Sequence, residues 1–221
     1  MTVAGVLAAA PTAWQWVADH RAKILHQFVQ HVELTVIAVV LGLVISIPLA
    51  LYAYRHPRAY GPITSVTGLM YTIPSLALFV ILLPLTGISF TTVEIALVSY
   101  TLLILIRNIV RGIRGVPAEV LEAANGMGYT PRERLWRVEV PLALAVIIAG
   151  VRVATISTIG LVTVTALIGQ GGFGFLILIG IQRFFSTELI VGAVCSVALA
   201  IAADALLVLL QRRLTPWTRA A

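Results

Sequence analysis

The sequence predicts an all-α integral membrane protein of five transmembrane helices, N-terminus outside and C-terminus in the cytoplasm. Three observations predict it. Of 221 residues, 60% are apolar and only 11% charged, whereas soluble domains carry about 25% charge. So few charges cannot solvate a globule of this size, which disfavours a soluble enzyme, a disordered tail and an ordinary nucleic-acid module. Five stretches, residues 32–54, 63–85, 91–110, 141–166 and 189–210, reach the roughly 20 apolar residues that a crossing needs. Finally, the basic residues are sorted. Arg55 and Arg58 follow the first stretch, Arg107, Arg111, Arg114, Arg132, Arg134 and Arg137 flank or fill the connection after the third, and Arg212, Arg213 and Arg219 follow the fifth. These eleven share one side, against Arg21, Lys23 and Arg183 on the other. The positive-inside bias makes the richer side cytoplasmic. A sixth span over 161–181 would carry the C-terminal arginines outside and is rejected for that reason. The net charge of +6 thus reports topology, not a nucleic-acid surface.

Residues 1–31 read as an external segment ahead of the first span. No basic region precedes the apolar residues 3–10, so a signal peptide is not expected, although Ala8-Ala9-Ala10 resembles a cleavage site. From Pro11 onward Trp14, Val17, Ile24, Leu25, Phe28 and Val32 recur at roughly helical spacing, with Asp19, His20, Lys23, Gln27 and Gln30 on much of the opposite side. That pattern predicts an amphipathic helix at the outer interface with two tryptophan anchors. Residues 32–212 form the transmembrane domain, with a cytoplasmic loop at 111–140, and 213–221 form a cytoplasmic tail. Pro74 falls within the second stretch and predicts a kink. The short apolar run 175–181 cannot span and reads as re-entrant or interfacial.

The loop at 111–140 is the one long polar stretch, and it is organised. Pro117 starts a helix through residues 118–124, with Asn125, Gly126 and Gly128 available to stop it. Thr130-Pro131-Arg132-Glu133 spells a capping box with proline at the first helical position. A second helix then leads through Trp136 to Pro141. Two capped helices on the cytoplasmic face are suited to dock into a partner.

Glu122-Ala123-Ala124, then Gly128 after three residues, then Val138-Glu139-Val140-Pro141 resembles the EAA motif of permease subunits of binding-protein-dependent ABC importers. The resemblance implies a type I importer permease whose loop forms a coupling helix seated on a cytoplasmic ATPase. It assigns that role to Glu119, Leu121, Glu122, Ala123, Ala124, Asn125, Gly128 and Pro141. Residues 71–78, 106–108, 148–154 and 166–174 are similar to permeases of the osmoprotectant branch, which import glycine betaine, choline, carnitine or proline. Methionine and other amino-acid permeases have the same size and architecture and stand as the alternative cargo class. The partners implied are two ATP-binding subunits, a second permease subunit of the same or a paralogous kind, an external solute-binding protein and membrane lipid, with no nucleic acid. The location implied is a bacterial-type plasma membrane. A different reading, a small membrane assembly protein whose arginine-rich loop binds lipid or a partner, predicts tolerance of changes at Glu122 and Gly128.

Charges within a span cost about 2.5–3.5 kcal/mol each on insertion scales, so Arg152 and Asp204 need a reason. Counting about 1.5 Å per residue from Pro141 and Arg212 places both at similar depth. A structural pair is expected, either directly or through the Arg107/Asn108 region. Glu33 and Glu94 lie near outer ends and are expected to reach water. On the importer reading Tyr71, Pro74, Ser75, Tyr100 and Asn108 are candidates for the solute path, with cation–π contacts suited to a quaternary ammonium. Gly169, Gly171, Gly172 and Gly174 formally match G-x-G-x-x-G, but no βαβ unit surrounds them. They are expected to break the fourth span, as an outer gate or a tight loop. The sequence has no G-x-x-x-x-G-K-[ST] loop, so ATP and Mg²⁺ belong to the partner ATPase, and no cofactor or enzymatic activity is expected of this chain. His26 and His31 are off the spacing of a helical metal pair, and no metal site is expected.

Overall fold

The computed structural model describes residues 13–219, which are helical and contain no strand. The helices are α1 (Ala13–Asp19), α2 (Arg21–Arg55), α3 (Pro57–Thr72), α4 (Ser75–Thr86), α5 (Phe90–Arg114), α6 (Ala118–Gly126), α7 (Pro131–Arg134), α8 (Val140–Val164), α9 (Phe173–Gln182) and α10 (Ser186–Leu214). A π-helical turn, Leu135–Glu139, joins α7 to α8, and a 3-10 turn, Thr165–Ile168, ends α8.

Helix α5 is the axis of the bundle. Leu34 and Ala38 of α2 share a core with Val93, Ala96 and Leu97. Ala50 and Ala53, further along α2, share another with Ile106, Ile109 and Ile113. Helices α2 and α5 are therefore parallel. Helix α8 runs against both, since Ala143 joins the second core and Val162 the first. Helix α10 is antiparallel to α8, because Asp204 pairs with Arg152 and Gln211 reaches the Ala145 carbonyl. Glycines set the tight spacing: a Cβ on Gly42 would lie 2.0 Å from Thr101 Oγ1, and one on Gly150 2.4 Å from Asn108 Cβ. Small residues at such crossings let membrane helices gain dispersion contact where no hydrophobic drive exists between them. The loop helices and the C-terminal end of α10 lie at one end of the bundle. The start of α2 lies at the other, as an odd number of crossings requires.

Four elements depart from the sequence reading. The helix of the first span, α2, starts at Arg21, eleven residues before the apolar stretch, because its polar residues find partners on the bundle. Lys23 pairs with Glu188 at 2.5 Å and Gln30 donates to Gln170 at 3.0 Å. Residues 21–31 thus stand on the bundle as part of α2, and α1 packs against it. Trp14 is 84% exposed, as an anchor would be, but Trp16 is 6% exposed, stacked on His20 and tilted against Phe185. The part of the external segment before residue 13 and the last two residues of the tail lie outside the described residues.

The second span is broken rather than kinked. Helices α3 and α4 meet at 96°. Ile73 precedes a proline and takes the extended conformation that this requires (ψ 128°), and Pro74 contributes no N–H across the junction.

The run expected to be re-entrant or interfacial is α9, and it carries the chain onward without turning back. Phe173 at its start lies beside Phe28 and His31, while Phe185 just past its end lies beside Trp16. It therefore continues in the direction of α8 beside the start of α2, while the fourth crossing itself, Pro131–Ile168, is long enough without it.

Finally, Glu94 does not reach water. It is 6% exposed and neither carboxylate oxygen has a hydrogen-bond partner among the described residues, because the central helix is covered even near its first turn. Glu33 is exposed, as expected.

Candidate functional site: the coupling loop and the groove at the helix break

After Gly115 the chain leaves α5 and α6 begins behind Pro117. Glu119, Glu122, Ala123 and Asn125 are exposed on α6, Leu121 is half-buried, and Ala124 is buried as its foot against the bundle. Met127, which the sequence reading passed over, adds a 71% exposed apolar side chain beside them. The outward surface is thus small, apolar and acidic, and the one buried alanine fixes its seating. Gly128 turns the chain at φ +83°, a left-handed conformation that costs a residue with a Cβ about 1–2 kcal/mol. Open space surrounds it, so the backbone conformation and not crowding demands glycine there.

The capping box forms. Thr130 donates from its N–H and its hydroxyl to Glu133 Oε2 (3.0 and 2.7 Å), and the Glu133 N–H donates to Thr130 Oγ1. Arg134 next to it bonds to both sides of the loop. Its Nη1 donates to Asn125 Oδ1 at 2.9 Å and its Nε to Glu139 Oε1 at 2.8 Å. The Glu139 side chain is 1% exposed. One guanidinium therefore ties the end of the loop helix to the root of α8. The π turn makes this possible. Pro141 has no N–H to give the carbonyl four residues back, and its ring crowds that position. The wider turn just before it takes up the misfit, with the Val140 N–H bonding to the Leu135 carbonyl.

Near the other end, the 96° break opens a groove of about 430 Å³. Tyr71, Pro74, Ser75 and Tyr100 line it, as do Ser157 and Gly160 of α8, which the sequence reading did not single out. Small residues three apart on α8 were the available signal. The two tyrosine rings meet edge-on at 5.8 Å. The Tyr100 hydroxyl donates to the Ile73 carbonyl exposed by the break. Asn108 is elsewhere: it packs on Gly150 and donates to the Ile104 carbonyl within its own helix.

Arg152 and Asp204 form a bidentate pair, Nε to Oδ1 at 2.8 Å and Nη2 to Oδ2 at 3.0 Å, linking α8 to α10. The glycine segment is fastened to α2. His31, fully buried, accepts at Nδ1 from the Phe173 N–H (3.3 Å) and donates from Nε2 to the Ile159 carbonyl (3.1 Å). Gln30 accepts from the Gly172 N–H at 3.1 Å. Gly172 has φ +47°, and a Cβ on it would lie 2.5 Å from His31 Cβ. A Cβ on Gly174 would lie 2.1 Å from the Thr163 carbonyl oxygen. Gly169 and Gly171 complete the turn at positive φ. Among the described residues no group of three His, Cys, Asp or Glu is placed to hold a metal.

A helical membrane bundle with a tethered loop helix at one end and a tyrosine- and serine-lined groove at a broken span is the architecture expected of an importer permease. The chain belongs to the family of binding-protein-dependent transport system inner membrane components, whose model matches residues 38–219. It is a multi-pass membrane permease subunit of an ABC importer. Among its relatives, the choline transport system permease protein OpuBB of Bacillus subtilis (strain 168) is 37% identical over 202 residues, covering 91% of this chain and 93% of that one. The osmoprotectant import permease protein OsmW of Salmonella typhimurium (strain LT2) is 39% identical over 192 residues, covering 85% and 89%. In fold it is similar to a chain of the inward-facing MetNI methionine ABC transporter, with TM-score 0.77 at 20% identity over 87% of this chain and 96% of that one.

Proposed function

We propose that this chain is the non-catalytic permease of an ATP-driven importer for osmoprotectants of the glycine betaine, choline, carnitine or proline kind. The observation that carries the reading is the agreement between relatives with choline and osmoprotectant names and a groove whose two tyrosines suit a quaternary ammonium. The α6 end faces the cytoplasm, as the eleven arginines assigned to that side require, and the start of α2 faces outward. Two ATPase subunits hold ATP and Mg²⁺, each seating one α6. An external binding protein delivers solute, and a second permease subunit closes the path that five crossings cannot enclose alone.

Coupling runs through the two bonds of Arg134. An ATPase gripping Glu119, Glu122, Ala123 and Gly128 moves α6, and Arg134 carries that motion to Glu139 and the root of α8. Because α8 also supplies Ser157 and Gly160, its displacement changes the groove at the break of α3 and α4. The methionine alternative rests on a likeness of fold alone. Uptake of labelled glycine betaine, choline and methionine into vesicles holding the complete transporter tests the assignment. Betaine or choline uptake that Gly128→Asp abolishes, with insertion intact, is expected. Methionine uptake alone would overturn the cargo, and undiminished uptake in the variant would overturn the coupling role.

A further inference from the structure

We infer that the crevice between the end of α2 and the α7–α8 junction is a binding site for an anionic phospholipid. Its volume is about 480 Å³, and it joins two kinds of wall. Pro48, Leu51 and Leu135 form an apolar floor, while Arg55 and Arg132 stand at its rim with Trp136 beside them. No carboxylate lines it. The nearest acidic side chains in sequence are engaged elsewhere: Glu133 closes the capping box and Glu139 holds Arg134. Neither the Arg55 nor the Arg132 guanidinium has an ion-pair or hydrogen-bond partner among the described residues.

The floor continues an exposed apolar stripe of α2, Val40, Val44 and Ile47, within the stretch that crosses the membrane. Tyr52 and Trp136 are both about half exposed, at the level where aromatic side chains mark the membrane boundary. An acyl chain lying along the stripe enters the crevice and brings its phosphate between the two guanidinium groups. A phosphodiester anion suits their planar donors. Each arginine near the surface contributes about 1 kcal/mol, a roughly fivefold preference for anionic over zwitterionic lipid. A soluble anion has no use for the apolar floor, and an acidic protein segment none for its continuity with the bilayer face.

The test uses Trp136 as the reporter. The full chain is placed in phosphatidylcholine nanodiscs containing 10 mol% brominated phosphatidylglycerol or, separately, brominated phosphatidylcholine. Fluorescence lost in the parent but not in Trp136→Phe measures lipid in the crevice. The expected result is severalfold stronger quenching by the anionic lipid, reduced to parity in Arg55→Gln/Arg132→Gln and largely kept in Arg55→Lys/Arg132→Lys. Equal quenching by both lipids in the parent would overturn the proposal, as would a preference that survives the double glutamine variant. Relief of quenching by millimolar inorganic phosphate would mark a soluble-anion site instead. Relief on adding the ATPase subunit would assign the crevice to that partner.

Discussion

Replacing Arg134 by alanine separates holding the loop together from transmitting its motion. The change removes the 2.8 Å bond to Glu139 and the 2.9 Å bond to Asn125 at once. Glu139 is 1% exposed and its second oxygen already lacks a hydrogen-bond partner, so its carboxylate would be left buried without its cation, with only the Tyr54 phenol nearby. Removing one partner of a buried pair costs about 3–5 kcal/mol. Arg134 is 24% exposed, so the lower end of that range, about 3 kcal/mol, applies here. Adding Glu139→Gln removes the stranded charge and leaves an amide, which returns all but about 1 kcal/mol. Thermal unfolding of the purified complex reads this part. Transport reads the other. Both the single and the double variant lack the link from α6 to α8, so both should lose at least tenfold in uptake while the ATPase still turns over, no longer stimulated by the loaded binding protein. Arg134→Lys, which keeps one charge contact but not both bonds, should fall between. Parental uptake by the double variant would refute the role of Arg134 in coupling. Parental stability of the single variant would refute the accounting for Glu139.

The other expectations rest on single contacts. Gly172→Ala meets His31 in a left-handed conformation, and should lower stability by about 2–3 kcal/mol, seen as a lower melting temperature and less protein in the membrane. Asp204→Leu strands Arg152 and should destabilise strongly, whereas Arg152→Met/Asp204→Leu should approach the parent; thermal unfolding in detergent compares them. Tyr100→Phe leaves the Ile73 carbonyl without its hydroxyl partner, costing about 1–3 kcal/mol, and is expected to weaken solute uptake as the break shifts. Ser157→Leu fills the groove from α8 and should reduce uptake with little effect on expression; unchanged transport would place the path elsewhere.

What was legible in the sequence followed from local rules. Runs of apolar residues marked the crossings, and Thr130 with Glu133 announced a cap that needs only four residues to form. Gly128 was readable because a turn between two capped helices needs a positive φ somewhere. The illegible parts are those where partners lie far apart in the chain. Nothing near Glu94 says that the helix carrying it will be central, so a carboxylate at a span's end was expected in water. Residues 21–31 look like an interfacial helix until Glu188 and Gln170 arrive as their partners. The stretch 175–181 is too short to span alone, and only its contacts with α1 and α2 reveal that the chain runs onward there and does not turn back.

Arg134 and Glu139 show why the proposed coupling path was hidden. Five residues apart, they fall on different faces of an ordinary α-helix, where side chains meet at spacings of three and four. The π turn bonds each residue to one five back, which brings this spacing into register. Pro141 is its cause, and Pro141 is also the last residue of the EAA-like segment. The proline that appears in the motif as a mere end mark therefore has a mechanical consequence. It widens the turn that lets one arginine hold both the loop helix and the root of α8. At the helix break another proline, Pro74, leaves the Ile73 carbonyl free for Tyr100 to bind. Two residues that weaken regular helix thus stand at the two ends of the proposed path, and α8 is the rigid element between them. A push on α6 is transmitted only if α8 moves as a unit, so inserting a flexible Gly-Gly pair in its middle should disconnect ATPase stimulation from uptake even with both ends intact.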